Sequence, residues 1–88
     1  KGPFGAPWTA SDWYQHMEEE EVFLFPVLFE AFGDSAEPSV KRLWDDHVVF
    51  RARLARGEDI PKARMEAHAA FEDRLIGDLF RAGYGKGK

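Results

Sequence analysis

Apolar residues recur at intervals of three and four along most of this chain, which is the spacing of one face of an α-helix. No window shows a sustained alternation typical of a β-strand. The pattern predicts an all-α protein, an up-and-down bundle of three helices in a single domain over residues 1–88. We expect the helices at roughly 10–32, 38–56 and 60–82.

Residues that begin and end helices divide the chain at the same places. Thr9 followed by Asp12 predicts a capping box at the first helix, and Asp59 or a neighbour is expected to cap the third. Glycines are expected to end the three helices, at Gly33, Gly57 and Gly83. Pro26 lies inside the first predicted helix, where it removes a backbone donor and is expected to bend the chain.

Each predicted helix carries one apolar stripe, and all three histidines of the chain lie within these stripes. The stripe of the first helix is Trp13, His16, Glu20, Leu24, Val27 and Ala31. The second is Val40, Leu43, His47, Phe50 and Leu54, and the third is Met65, His68, Glu72, Leu75 and Leu79. Imidazoles and carboxylates are therefore expected to face the core of the bundle.

Composition excludes several classes of function. The chain has no cysteine, which excludes disulfides and thiolate metal sites, and its net charge of −4 argues against a nucleic-acid partner. The longest apolar stretch, residues 22–29, is too short to cross a membrane, and no signal peptide is visible. We expect a cytoplasmic protein. Because the chain begins at Lys1, we also expect a processed N-terminus or a fragment of a longer protein.

Two of the histidines are followed four residues later by a glutamate, as His16–Glu20 and His68–Glu72. Four residues advance a helix by about 400°, so both side chains of such a pair point the same way. With His47, three nitrogen ligands and two carboxylates would meet in one core, where buried carboxylates require a compensating partner. Bundles of this kind hold di-iron or di-manganese sites, and sulfur-free ligands suit iron, manganese or zinc.

The residues around these pairs also resemble a known family. Residues 16–26, HMEEEEVFLFP, resemble the signature H-x-x-x-E-E-x-x-L-F-P of hemerythrin-like, HHE-type cation-binding domains. Residues 43–47 followed by Arg51 are similar to the family's next helix, and residues 68–73 are similar to its last metal-binding helix. The resemblance spans roughly residues 13–80. It implies part of a four-helix hemerythrin-like bundle holding non-haem iron, two ions per site.

The resemblance further implies a protein that binds dioxygen or another small diatomic ligand, or that senses oxygen, iron or nitric oxide. This chain lacks the first helix of the family, with its additional histidine, and has Arg51 where oxygen carriers have another histidine. Five candidate metal ligands remain: His16, Glu20, His47, His68 and Glu72. Oxygen carriers use an aspartate at the position of Asp73, but a five-residue step turns the side chain about 140° away from the histidine, so helical geometry favours Glu72.

Neighbouring charged residues have plainer interpretations. Glu18, Glu19 and Glu21 are interpreted as a solvated face. Asp45 and Asp46 are interpreted either as groups that orient the His47 ring or as surface charges. Arg51 is expected either to reach a buried carboxylate or to face solvent. Phe23, Leu24, Phe25 and Phe29 are interpreted as packing residues.

Three functions are compatible with the sequence. The leading hypothesis is an iron-binding domain for oxygen binding, storage or sensing, without turnover. The alternatives are a di-metal enzyme of the oxidase or peroxidase type, or a metal-free helical interaction module. Metal analysis, with absorption spectra before and after exposure to air, separates the three.

We predict that the chain is a homodimer, or receives a fourth helix from an N-terminal segment outside this sequence, because a three-helix site leaves one wall open. Size-exclusion chromatography of the metal-loaded chain should show the mass of a dimer. A clean metal-loaded monomer would contradict the dimer.

Overall fold

The computed structural model describes residues 8–83, and every regular element within that range is helical. The first elements are α1 (Ala10–Glu19), a π-helical turn (Glu20–Leu24) and α2 (Phe25–Phe32). A 3-10 turn (Gly33–Ala36), α3 (Glu37–Ala55) and α4 (Lys62–Arg81) follow. We call residues 10–32 the first arm and α3 the second arm. The predicted all-α class is confirmed for the described range.

The prediction of three separate helices is wrong, because a 3-10 turn (Gly33–Ala36) joins α2 to α3 without an intervening loop. Residues 10–55 form one continuous helical stretch of 46 residues, and α4 is a second stretch of 20. The long stretch nevertheless folds back on itself: a straight helix of that length would measure about 69 Å, but the longest dimension of the molecule is 41 Å. The reversal begins at Gly33, whose φ of 60° and ψ of −143° leave the helical region.

The helix ends agree in part with the sequence-based expectations. The Thr9 backbone N–H donates to Asp12 at 2.9 Å and the Asp12 N–H donates to the Thr9 hydroxyl at 3.2 Å, which confirms the capping box. Gly57 follows α3 with a φ of 74°. The predicted cap at Asp59 is wrong: α4 begins after Pro61, whose extended backbone occupies the N-cap position without a side-chain cap.

The π-helical turn changes which face of the first arm is buried. The predicted stripe residues Leu24, Val27 and Ala31 are only half-buried, and Phe25 and Leu28 are buried instead. A π turn holds one residue more than an α turn, so every position beyond it is displaced by one. The turn ends two residues before Pro26, which has no N–H for the carbonyl one α turn earlier and whose ring crowds that carbonyl. The expected effect of Pro26 therefore takes the form of a wider turn.

Two apolar clusters form the core. The larger cluster contains Phe25, Leu28, Ala36, Leu43, Leu75 and Leu79, and the smaller contains Met17, Phe50 and Ile60. On each helix the buried polar residues lie between members or close neighbours of the two clusters: Glu20 follows Met17, His47 follows Leu43, and His68 and Glu72 precede Leu75. The apolar stripes predicted for the second and third helices are confirmed.

A membrane-spanning element is not found among residues 8–83, because none of their helices combines the necessary length with the necessary hydrophobicity.

We predict that Gly33→Ala destabilises the protein by about 1–3 kcal/mol, because its backbone conformation is one that residues with a Cβ adopt only under strain. The matched control is Gly77→Ala in α4, where a Cβ meets only the flexible end of Arg81. The control should gain up to about 1 kcal/mol in helix propensity. Urea denaturation of both variants measures the difference, and equal effects would contradict the assigned reversal.

Candidate metal centre

The interior of the helical bundle contains four buried polar side chains close together. His47 is fully buried, His68 is 3% exposed, and Glu20 and Glu72 are each 8% exposed. His16 joins them from the edge, with 30% of its side chain exposed. Ionised carboxylates in such surroundings are strongly disfavoured unless they are paired or coordinate a cation. The structure thus brings together all five residues that the sequence singled out.

Glu20 lies at the centre of the group and contacts all three imidazoles. Its Oε1 atom lies 2.7 Å from His47 Nε2 and 3.4 Å from His68 Nε2. Its Oε2 atom lies 2.9 Å from His16 Nε2. The three imidazoles, which come from α1, α3 and α4, therefore present the same ring nitrogen to one carboxylate.

Glu72 faces the same point from α4. Its Oε1 lies 3.9 Å from His16 Nε2, and its Oε2 lies 3.4 Å from His68 Nε2. The Oε2 atom is buried and forms no hydrogen bond with the described residues. Asp73, the alternative carboxylate, is exposed, so the structure places Glu72 in the group.

Four of these side chains meet the geometric requirements of a metal site. Each of His16, Glu20, His68 and Glu72 offers one ligand atom, and these atoms all lie within 4.8 Å of one another. His47 lies outside this group of four but contacts it through Glu20. The described structure therefore contains a candidate site of two histidines and two glutamates.

A second layer of carboxylates contacts the outer nitrogens of two imidazoles. His47 Nδ1 lies 2.7 Å from Glu21 Oε2, and His68 Nδ1 lies 2.9 Å from Asp46 Oδ2. The interpretation of Glu21 as a solvated residue is therefore wrong. Asp46 does orient a ring, but it is the ring of His68 rather than that of the adjacent His47. Asp45 is exposed and pairs with Lys41.

Arg51 completes this layer. Its two terminal nitrogens donate to the two oxygens of Glu21 at 2.6 and 3.0 Å. Of the two roles considered for Arg51, the structure shows the one that reaches a carboxylate. The position of Arg51 one helical turn after His47 was the sequence signal for this pair. Glu21 is directed toward the second arm by the π turn. Pro26 is the sequence feature that indicated this turn.

The pairing of nitrogens and oxygens shows what the centre requires. A neutral imidazole carries one N–H, and an ionised carboxylate only accepts hydrogen bonds. His47 and His68 each face carboxylates with both nitrogens, so a neutral ring that donates from Nδ1 presents a lone pair to the lone pairs of Glu20. Such a contact is stable only with extra protons or a bound cation between the groups.

The balance of charge leads to the same requirement. Glu20, Glu21, Asp46 and Glu72 provide four carboxylates, and the Arg51 guanidinium contacts one of them, Glu21. With neutral imidazoles, four negative charges against one positive charge leave three in excess. One divalent cation offsets most of this excess and two offset all of it.

The imidazoles and carboxylates alter one another's pKa values. Burial alone would raise the pKa of Glu20, but hydrogen bonds from His16, His47 and His68 outweigh it and hold that pKa well below 4.5. Burial alone would lower the pKa of His68, but hydrogen bonds to Glu20 and Asp46 raise it above 6.5. In the metal-free centre the ionised form of Glu20 and the protonated form of His68 therefore stabilise each other.

Aromatic rings cover the centre. Phe25 stacks on His47 with 5.8 Å between ring centroids, and Phe50 meets His68 edge-on at 5.3 Å. Trp8 and Trp13 meet His16 edge-on at 4.8 and 5.9 Å. Since His16 is the most exposed of the five, the centre opens toward solvent on its side.

Comparison with protein-family models, curated proteins and solved structures finds no match for this chain. The observations establish a small helical protein with a buried cluster of histidines and glutamates that is suited to a metal ion.

We predict that the metal-free protein is most stable between pH 4.5 and 6.5. The lowered pKa of Glu20 contributes stability that is fully present above pH 4.5 and lost as the pH falls through that pKa. The raised pKa of His68 contributes stability that is fully present below pH 6.5 and lost as the pH rises through that pKa. Thermal denaturation from pH 3 to 9 measures both limbs.

A bound cation should remove the loss of stability at high pH, because the cation takes the place of the proton on the His68 imidazole. Metal-free stability that rises steadily from pH 5 to 9 would contradict the assigned pairing of His68.

Proposed function

We propose that this chain is a non-haem di-iron-binding domain that binds dioxygen or another diatomic ligand, or senses oxygen, iron or nitric oxide. The proposal is supported chiefly by one observation: three imidazole Nε2 atoms face the same buried carboxylate, Glu20. The ligands that we propose are the five predicted from the sequence: His16, Glu20, His47, His68 and Glu72.

The direction of the carboxylate oxygens supports two metal ions rather than one. Glu20 presents Oε2 to His16 and Oε1 to His47 and His68. Glu72 divides its oxygens in the same way, with Oε1 nearer His16 and Oε2 nearer His68. Each glutamate therefore has one oxygen near His16 and the other near His68. A carboxylate that bridges two metal ions in a helical bundle would have the same arrangement.

Iron is favoured by the donor set and by the family resemblance. Nitrogen and oxygen ligands without sulfur suit iron, manganese and zinc, and the resemblance of residues 16–26 to the HHE signature selects iron among them. Bound iron supplies redox chemistry and coordination positions for a diatomic ligand. The residues supply five ligands, aromatic walls that limit water, and an opening beside His16 through which a small molecule would enter.

A second copy of the chain, or a helix from outside this sequence, remains the proposed partner. Large apolar side chains are exposed at several positions, with Phe23 at 68%, Val22 at 56% and Phe80 at 51%. Exposed apolar patches often mark the surfaces through which proteins bind one another.

Glu72→Gln should abolish tight binding of Fe²⁺, because it removes one proposed bridging charge while keeping the shape of the side chain. Asp73→Asn is the matched control: it removes the same charge from the neighbouring residue, which is exposed, and should bind Fe²⁺ as the unmodified protein does. Anaerobic titration followed by desalting and iron analysis measures the retained metal, which we expect at two ions per chain.

The same pair of variants also tests the metal-free state. Glu72→Gln should melt higher than the unmodified metal-free protein, because it removes one of the carboxylate charges that the centre holds in excess. Retention of no iron by the unmodified protein would contradict the proposal and favour a metal-free interaction module. Equal retention of iron by both variants would contradict the assignment of Glu72 as a ligand. Turnover of peroxide by the loaded protein would favour the enzyme.

A further inference from the structure

We propose that Glu21 and Arg51 are positioning residues that set the tautomer of His47 and orient its Nε2 toward the metal centre. This inference rests on the proposed metal-binding function. Neither residue belongs to the five proposed ligands, and Glu21 was expected to be a surface charge. Both act through His47.

Two consecutive glutamates bracket one imidazole. Glu20 lies 2.7 Å from His47 Nε2, and Glu21 lies 2.7 Å from His47 Nδ1. The pair Glu20–Glu21 opens the π-helical turn, and π turns concentrate at functional sites. The two nitrogens of the His47 ring therefore contact two different carboxylates, and these carboxylates belong to consecutive residues.

Arg51 makes Glu21 a fixed acceptor. The guanidinium donates to both carboxylate oxygens, at 2.6 and 3.0 Å. It has no acceptor atom, so it does not compete with Glu21 for the imidazole N–H. Because the charge of Arg51 offsets that of Glu21, the carboxylate can lie in the partly buried layer, where 18% of its side chain is exposed.

Residues of the second arm hold the ion pair of Arg51 and Glu21 in place. His47 and Arg51 are one helical turn apart, and Trp44 lies one further turn toward the N-terminus of α3. The Arg51 guanidinium carbon lies 5.9 Å from the centroid of the Trp44 ring, a distance within the range of a cation–π contact. Glu21 thus contacts a guanidinium that also contacts the Trp44 ring.

The consequence for His47 is a defined direction of donation. With Glu21 as acceptor, the hydrogen of the neutral, metal-binding form of the ring is on Nδ1, which leaves the lone pair of Nε2 for a cation held at the centre. An outer carboxylate of this kind also makes the imidazole a stronger ligand, and its loss typically weakens metal affinity by about 10–100-fold.

Competition with a chromophoric chelator at pH 7 tests the proposal with Zn²⁺ as the probe. Glu21→Gln should bind Zn²⁺ at least about tenfold more weakly than the unmodified protein. Glu19→Gln is the matched control, because it removes the same charge from the same arm at an exposed residue whose partner is Gln15. Its affinity should stay within about twofold, as surface substitutions do. The Zn²⁺ affinity of Arg51→Lys should lie between those of the two glutamate variants. Lysine keeps the positive charge but lacks the two parallel N–H groups that donate to both carboxylate oxygens.

Nitrogen NMR of the zinc-loaded protein, labelled in its histidines, supplies a readout that a purely structural role would not change. The unmodified protein should show His47 protonated at Nδ1, and Glu21→Ala should lose this single tautomer or its protection from exchange. Zinc affinity and a His47 tautomer unchanged in both Glu21 variants would overturn the positioning role alone. Failure of the unmodified protein to bind Zn²⁺ would overturn the metal site and, with it, this inference.

Discussion

The buried carboxylate of Glu20 is the group on which the rest of the structure depends. It lies among three imidazoles, beside a second buried glutamate, and water has little access to it. A charge in that position requires positive partners whatever the function of the protein. In the metal-free state the protonated form of His68 meets part of this requirement, and Glu20 and Asp46 raise the pKa of that imidazole. A divalent cation would meet it without a proton on His68.

This requirement explains the arrangement of the helices. The three imidazoles lie on α1, α3 and α4, so they meet only if the long helical stretch reverses at Gly33 and α4 packs against both arms. Apolar clusters above and below the polar group drive that packing, while aromatic rings cover the imidazoles. Burial of apolar surface therefore stabilises the very arrangement that brings the charged groups together.

The sequence was sufficient to predict that His16, Glu20, His68 and Glu72 lie close together, because the four-residue interval between histidine and glutamate is fixed by the geometry of a helix. It was also sufficient for the apolar stripes of α3 and α4, which are regular helices. It was insufficient wherever the backbone departs from the regular α-helix. The π turn before Pro26 displaced the stripe of the first arm and directed Glu21 inward. The 3-10 turn at Gly33 joined two expected helices into one stretch. The partner of Asp46 depends on the packing of α4 against α3, which no local pattern specifies.

X-ray absorption spectroscopy at the iron edge of the loaded protein distinguishes the buried cluster from other binding places. We predict a first shell of nitrogen and oxygen atoms, outer-shell scattering from imidazole rings, and an iron–iron vector of about 3.5–4 Å, the usual separation in two-metal sites. An oxygen-only shell without imidazole scattering would show that iron binds elsewhere on the acidic surface and would contradict the assignment of the buried cluster as its site.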